Sequence, residues 1–228
     1  MKPSVIAKIL FLVCVSSISF ISINAQDKQQ EKIQASTKVL TDFSKMKENI
    51  PAQLLQQAEG IIIIPKLINA GLVIGGKRGR GIALAKAEDG TWSNPVFLTM
   101  TGGSIGFQAG VQSTDLVLIF LHRATLDKIG NGSFTLGGDI SVAAGPVGRS
   151  SSASTDYKFE AEVYSYSRSR GLFAGITLSG SAIAIDASAN TAFYGESVDA
   201  KTLFGDGSKT SSSDVTALKT SLQALYEK

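Results

Sequence analysis

The sequence predicts an α+β fold: a glycine-rich, antiparallel sheet that is curved or barrel-like, with N-terminal helices and one C-terminal helix. Three observations lead to this prediction. Residues 29–58 are rich in Lys, Gln, Glu and Ala and contain no glycine, residues 60–194 carry short apolar runs separated by Gly and Asn/Asp, and residues 213–225 repeat apolar residues at helical spacing. With 228 residues, 43% of them hydrophobic, we expect one domain that buries its own core.

The first 25 residues have the pattern of a secretory signal peptide. Lys2 and Lys8 precede an apolar stretch that ends near Ala25. The alternative is an uncleaved membrane anchor, which the serines within the stretch and the polar residues after it disfavour. Cleavage would leave 20 basic and 19 acidic residues and would remove the single cysteine, Cys14. We therefore expect an exported protein, periplasmic or secreted, without disulfides, thiolate chemistry or a nucleic acid partner.

The helices before the sheet are predicted from spacing. Ile33, Leu40 and Phe43 fall on one helical face, which could pack on the sheet or face a membrane. Pro51 favours the start of a second short helix over residues 52–58, which Gly60 ends.

Strands are predicted wherever a short apolar or alternating run lies between turn residues. The Asp89-Gly90 and Asn131-Gly132 pairs are strong turn signals, and a helix is expected at about residues 124–129. Glycines within and between so many short runs are typical of a curved sheet. The predicted strands are residues 71–74, 82–87, 96–101, 116–121, 140–144, 160–167, 173–179 and 182–186, after a β-branched run at 61–64 that Pro65 ends.

The C-terminal part is predicted to be a tethered helix. Residues 205–212 have the composition of a flexible linker, and Ser213 can cap an amphipathic helix over residues 213–228. The expected organisation is thus a signal peptide (1–25), a folded domain (26–204), a linker and this helix.

Two motifs resemble enzyme signatures, but each lacks a feature that the enzyme would require. Residues 71–77 match the first seven positions of a phosphate-binding loop, but Arg78 stands where the magnesium-binding Ser or Thr should be. Ser104 lies in a nucleophile-elbow spacing of glycines, and the single histidine, His122, is the one candidate base, yet residues 107–110 are a poor start for the helix that must follow the nucleophile. A serine hydrolase using Ser104 stays a minor alternative. No metal-ligand spacing or cofactor motif is present in the sequence, so we expect neither a metal nor a cofactor.

Positive charge on glycine-rich turns is the remaining candidate for a functional site. Taken as a cluster, the basic residues on these turns predict an acceptor for lipid phosphates, although each cation contributes only about 1 kcal/mol near an anionic bilayer. Solvated turns also carry charge without any function. The predicted headgroup-binding residues are Lys66, Lys77, Arg78, Arg80, Arg149, Arg168 and Arg170.

Several blocks of the sequence together resemble the SYLF domain, also called the Ysc84 actin-binding domain. The resemblance runs from about residue 37 to residue 194, with the blocks in the order of the family. The blocks are AEGIIIIPK (58–66), AG (70–71), GGKRGRG (75–81), WSNP (92–95), TGGSIGFQAG (101–110), STD (113–115), LGGD (136–139), AAGPVGR (143–149) and YSYSRSRGLFAG (164–175).

The resemblance implies a lipid-binding protein that is not an enzyme. Eukaryotic members of the family bind phosphoinositides and other anionic lipids, and some bind actin beside SH3 or FYVE modules. A lone domain behind a signal peptide resembles an exported bacterial-type member, for which anionic phospholipid membranes are the implied partner and actin is not expected. An envelope scaffold that binds a protein partner is the alternative function.

Overall fold

The computed structural model describes residues 26–46, 50–71, 74–105, 110–130, 132–146, 159–169, 172–173, 176–205 and 212–225. The predicted signal peptide and most of the predicted linker lie outside these residues.

Six helices and nine strands make up the described chain. The helices are α1 (residues 26–44), α2 (Ala52–Gln57), α3 (Arg123–Gly130), α4 (Ala187–Tyr194), α5 (Ala200–Gly205) and α6 (Ser213–Gln223). The strands are β1 (Gly60–Gly71), β2 (Ile74–Ala85), β3 (Val96–Ile105), β4 (Gly110–Phe120), β5 (Ser133–Leu136), β6 (Val142–Ala144), β7 (Val163–Ser169), β8 (Leu172–Phe173) and β9 (Ser181–Ile185).

All the strands belong to one sheet, which curls into a half-barrel. Its order is β5-β9-β3-β2-β1-β4-β7-β6, and the short β8 pairs with β7 outside this path. The pairings are antiparallel except for β6 with β7, which is parallel. The predicted α+β class and curved sheet are thus confirmed.

Helices cover the sheet on both faces over half the length of its central strands. The first face packs against α1, α2, α4 and α6, and the second against α3 and α5. Alternate residues of β1 therefore enter different cores: Ile61 and Ile63 contact the first set of helices, and Ile62 and Ile64 the second. This explains the unbroken isoleucine run, because a strand buried on both faces needs no polar alternation.

The apolar stripe of α1 packs on the first face of the sheet. Ile33, Leu40 and Phe43 are fully buried there. Of the two alternatives that the sequence left for these side chains, contact with a membrane is wrong and packing on the sheet is confirmed. The reason is that an amphipathic helix buries its stripe against whatever apolar surface is nearest, and here that surface is the sheet.

The C-terminal helix is also part of this core and does not hang on a free tether. Val215, Leu218 and Leu222 of α6 are buried in the same cluster as the stripe of α1. The amide Nε2 of Gln34 donates a hydrogen bond to Asp214 at 3.2 Å, which links the two helices at the surface.

Several predicted element boundaries are wrong. The predicted strand at residues 71–74 is divided between two strands: β1 ends at Gly71, β2 begins at Ile74, and residues 72–73 lie outside the described residues. Pro65 does not end β1, because a bulge between Ile64 and Leu67 accommodates it within the strand. Residues 176–178 are not in a strand, and β5, α4 and α5 were not predicted.

Most of the described residues at one end of β1, β2 and β4 are exposed or half-buried. We call this part of the sheet the distal end, comprising residues 66–71, 74–80, 101–105 and 110–114. A Cβ on Gly81, at its inner border, would overlap the carbonyl oxygen of Ile63, so this glycine allows β1 and β2 to approach beside the bulge. The glycines of the phosphate-loop match lie in strands: Gly71 ends β1, and Gly75 and Gly76 are in β2, which continues as a strand where that motif needs a helix.

Candidate functional site

Four cations line one groove where α1 meets the distal end. They are Lys32 from α1, Lys66 from β1, and Arg78 and Arg80 from β2, and together with Pro65 and Gly79 they enclose about 470 Å³. Arg78 and Arg80 share a face because side chains two residues apart point the same way on a strand. We call these four side chains the cationic groove.

Lys66, which lines the groove, has an unusual backbone conformation. Its φ is +57°, the only positive φ of a non-glycine residue in the described part of the chain. The left-handed region costs such a residue about 1–2 kcal/mol. The conformation is held by the carboxylate of Asp115, whose Oδ1 accepts a hydrogen bond from the Lys66 N–H at 3.1 Å. Strain of this kind persists where surrounding structure enforces it, often at binding sites.

Arg168 is close to the same carboxylate but is not part of the groove. Its Nη2 is 2.6 Å from Oδ2 of Asp115 and 2.9 Å from Oδ2 of Asp42, and its guanidinium lies over the ring of Phe43. Burial acts to lower the pKa of Arg168, but the hydrogen bonds to Asp115 and Asp42 outweigh it and raise the pKa above its ordinary value. The side chain therefore joins α1 to β4 and β7, and its charge is already neutralised.

The groove itself carries an excess of positive charge. Burial lowers the pKa of Lys32 most, and the positive charges of Arg80 and Lys66 lower it further. Arg80 has a distant partner, Asp186, at 3.8 Å, and its own side chain is 64% exposed. A bound anion would relieve this repulsion, because an opposite charge favours the protonated form of Lys32.

A second cavity continues from the groove between α1 and α4. It has a volume of about 610 Å³ and shares Lys32 and Arg80 with the groove. Its other polar side chains include Lys28, Ser188 and Asp186, the carboxylate partner of Arg80, and Phe97 and Ala192 supply apolar walls. A ligand with more than one anionic group could therefore contact cations on both sides of Lys32.

The structure brings together only some of the predicted site residues. Lys66, Arg78 and Arg80 meet as expected, and Arg168 is engaged elsewhere. Lys77 is buried on the opposite face of β2, where its ammonium group donates a hydrogen bond to the carbonyl oxygen of Thr177 and burial lowers its pKa. Arg149 and Arg170 lie outside the described residues.

Lys32 was missed at the level of sequence. Its only signal is that it lies four residues after Lys28, which places both on one side of α1. Which strand that side of the helix would meet depends on how α1 crosses the sheet, and the sequence does not contain that information.

The hydrolase alternative fails on distance. Ser104 pairs with Gly75 at the distal end, whereas His122 follows β4 at the other end of the sheet. About ten residues of strand, or roughly 30 Å, separate Ser104 from His122 along the sheet. Within the described residues there is no cluster of His, Cys, Asp and Glu that could hold a metal ion, and no helix is long and apolar enough to cross a membrane.

Fold and site together define a class: an α+β domain on a curled half-barrel sheet, with a groove lined by four cations. The chain belongs to the Ysc84 family, because residues 101–225, more than half of its length, match the family described as "Las17-binding protein actin regulator".

Curated relatives support the same assignment. The "LAS seventeen-binding protein 3" of Saccharomyces cerevisiae is 38% identical over 183 residues, which cover 79% of this chain and 40% of the yeast protein. "Protein YSC84" of the same yeast is 40% identical over 155 residues, covering 67% of this chain and 33% of that protein. The bovine "SH3 domain-containing YSC84-like protein 1" is 36% identical over 177 residues, covering 74% and 52%. The chain thus spans between a third and about half the length of these relatives.

Proposed function

We propose that this domain is a non-enzymatic module that binds anionic phospholipid surfaces, with the headgroup phosphates held in the cationic groove. The observation that supports it most directly is the convergence of Lys32, Lys66, Arg78 and Arg80 on one cavity. The four central strands contain four basic residues and a single carboxylate, Asp115. That carboxylate is occupied by Arg168 and by the Lys66 N–H.

The proposed place of action is the cell envelope, on the strength of the signal-peptide pattern in residues 1–25. The groove suits phosphate groups that are presented close together, since two adjoining cavities share Lys32 and Arg80. Four cations at about 1 kcal/mol each give about 4 kcal/mol, which corresponds to a dissociation constant in the millimolar range. The groove alone therefore supports weak, reversible membrane association.

Flotation with vesicles tests the lipid chemistry. The protein should float with vesicles that contain phosphatidylserine or a phosphoinositide and remain behind with pure phosphatidylcholine. Binding should weaken steadily between 0.1 M and 1 M salt, because the screening length falls from about 10 Å to about 3 Å. Equal flotation with neutral vesicles, or binding that salt leaves unchanged, would overturn the electrostatic mechanism.

A protein partner is the second candidate function, and the family assignment favours it. One yeast relative is named "LAS seventeen-binding protein 3", and the family is described as "Las17-binding protein actin regulator". The same groove would then receive acidic side chains of a partner. Co-sedimentation with actin filaments and with anionic vesicles, run in parallel, separates the two candidates: binding to filaments without binding to vesicles would favour the protein partner.

A further inference from the structure

Three large aliphatic side chains are exposed at the distal end. Ile74 is 80% exposed, Val111 is 76% exposed and Ile68 is 39% exposed, and these are the exposed large hydrophobic residues of the described chain. The other large aliphatic side chains of β1 to β4 whose burial is described lie in the two cores. The aliphatic side chains of these strands are thus buried within the two cores and exposed at the distal end.

The register places all three side chains on one face of the sheet. Ile68 is paired with both Arg78 and Ser113, and Ala70 is paired with both Gly76 and Val111. Directly paired residues share a face, and so do residues two apart on one strand. Ile74 therefore lies on the same face as Gly76, Arg78 and Arg80. We call the exposed part of this face, with Ile68, Ile74 and Val111, the apolar tip.

The apolar tip and the cationic groove are two levels of one surface. Arg78 lies four residues from Ile74 on β2, or about 13 Å along the strand. The apolar face of an interfacial helix is buried about 5–10 Å into the boundary region between headgroups and acyl chains, and we take the same depth for the apolar tip. If Ile74 reaches that depth on a tilted strand, Arg78 lies at the level of the headgroup phosphates.

We propose that the apolar tip inserts into the acyl-chain boundary of an anionic membrane, so that the domain docks with the distal end of its sheet first. This inference rests on the proposed function and adds the orientation and the apolar contact that the groove does not supply. Lipid is the occupant that the charges favour, because cations border the tip and the one carboxylate of β1 to β4 already has two partners.

Site-specific fluorescence tests the insertion. Cys14 is the only cysteine, so the full chain with Cys14→Ser allows single labels at Ile74→Cys and Val111→Cys. Ala124→Cys on α3, exposed at the opposite end of the sheet, is the matched control. An environment-sensitive label at either tip position should shift to the blue with phosphatidylserine vesicles and be quenched by lipids with nitroxide-labelled acyl chains, whereas the control label should show neither change.

The outcomes separate the insertion from the lipid binding. Flotation with anionic vesicles without a shift at either tip position would overturn the insertion and leave the proposed function standing. No flotation at all would overturn both. A blue shift that depends on protein concentration and needs no vesicles would show that a second copy of the chain covers the tip, which also overturns the insertion.

A polar variant of the tip gives a second readout. Both side chains are exposed, so Ile74→Asn with Val111→Asn should leave the fold intact, which thermal unfolding checks. Vesicle binding in 0.5 M salt should weaken by at least about tenfold, because the apolar part of the binding persists when charge is screened. Ala124→Asn should leave binding unchanged. Unchanged binding by the tip variant in high salt would contradict the insertion.

Discussion

Lys66 combines a strained backbone with an exposed charge. A residue with φ of +57° inside a strand has no local reason to be lysine, since glycine would adopt that conformation at little cost. The structure retains a side chain there, and that side chain lines the groove. The natural interpretation is that the cation is worth more to the protein than the backbone strain costs.

This interpretation predicts different stabilities for two variants that both remove the charge. Lys66→Gly should be more stable than Lys66→Ala by up to about 1 kcal/mol in chemical denaturation, because only alanine keeps the strain of the left-handed conformation. Both variants should bind anionic vesicles about fivefold more weakly than the parent protein. An alanine variant as stable as the glycine variant would show that the bulge relaxes when the lysine is removed.

The half-buried position of Lys32 predicts that its charge lowers the stability of the fold and strengthens vesicle binding. Its charge is half-buried among cations, so Lys32→Met should raise the free energy of unfolding at pH 7, by up to about 1 kcal/mol, and weaken vesicle binding. The pKa of Lys32 is lowered in the folded state, so the folded protein binds fewer protons than the unfolded chain between that pKa and about 10.4. The cost of the charge is thus present in full at pH values below the folded-state pKa, falls as the pH rises above that pKa, and is gone above about 10.4.

Denaturation of the parent protein and Lys32→Met at pH 7 and pH 10 checks this. The stability difference between them should shrink at the higher pH. A difference that grows with pH, or a variant that is less stable at pH 7, would mean that the lysine is stabilised by a contact other than a bound anion.

At the scale of residues, the sequence predicted part of the site. Lys66, Arg78 and Arg80 were identified because they lie close together on glycine-rich chain. The burial of Lys77 follows from strand alternation once β2 is known to be continuous, but the sequence suggested two shorter segments there. Lys32 could not be assigned, because a helix residue and a strand residue meet only through tertiary packing.

The apolar stripes of α1 and α6 correctly predicted two helices, but the sequence left the cover of α1 open between sheet and membrane and placed α6 on a free tether. Spacing shows which face of a helix is apolar, and it does not show what covers that face. For both helices the cover is the first face of the sheet and the neighbouring helix. Similarly, the glycine content predicted a curved sheet, yet Pro65 and the glycines of β2 were taken as breaks where the structure has a bulge inside long strands.

The α6 helix gives a direct test at this scale. Leu218 is fully buried, so Leu218→Ala should lower the free energy of unfolding by about 2–5 kcal/mol. Thr216→Ala, on the exposed side of the same helix, should change it by no more than about 0.5 kcal/mol. If Leu218→Ala lowered stability no more than Thr216→Ala, α6 would not be part of the core and would be a helix on a free tether, as the sequence suggested.

At the scale of the molecule, the half-barrel carries its exposed large aliphatic side chains, among the described residues, at one end of the sheet. Helices on both faces bury the inner halves of β1 to β4, and the same strands continue to the distal end with the cations and the exposed aliphatic side chains. Composition and turn spacing were enough to predict the class of fold. They did not show that the basic and apolar residues of the distal end form one surface, because that depends on register.

The central claim is that the cationic groove, rather than the charge of the protein as a whole, binds anionic lipid. Two double charge reversals test it with the same change in net charge: Lys66→Glu with Arg78→Glu in the groove, and Lys128→Glu with Lys201→Glu on α3 and α5, which pack on the other face.

Flotation with phosphatidylserine vesicles at 0.1 M salt is the measurement. The groove variant should bind at least about thirtyfold more weakly than the parent protein, and the control variant should bind nearly as well as the parent. Equal losses in the two variants would show that the lipid responds to overall charge, and full binding by the groove variant would place the lipid site elsewhere on the molecule.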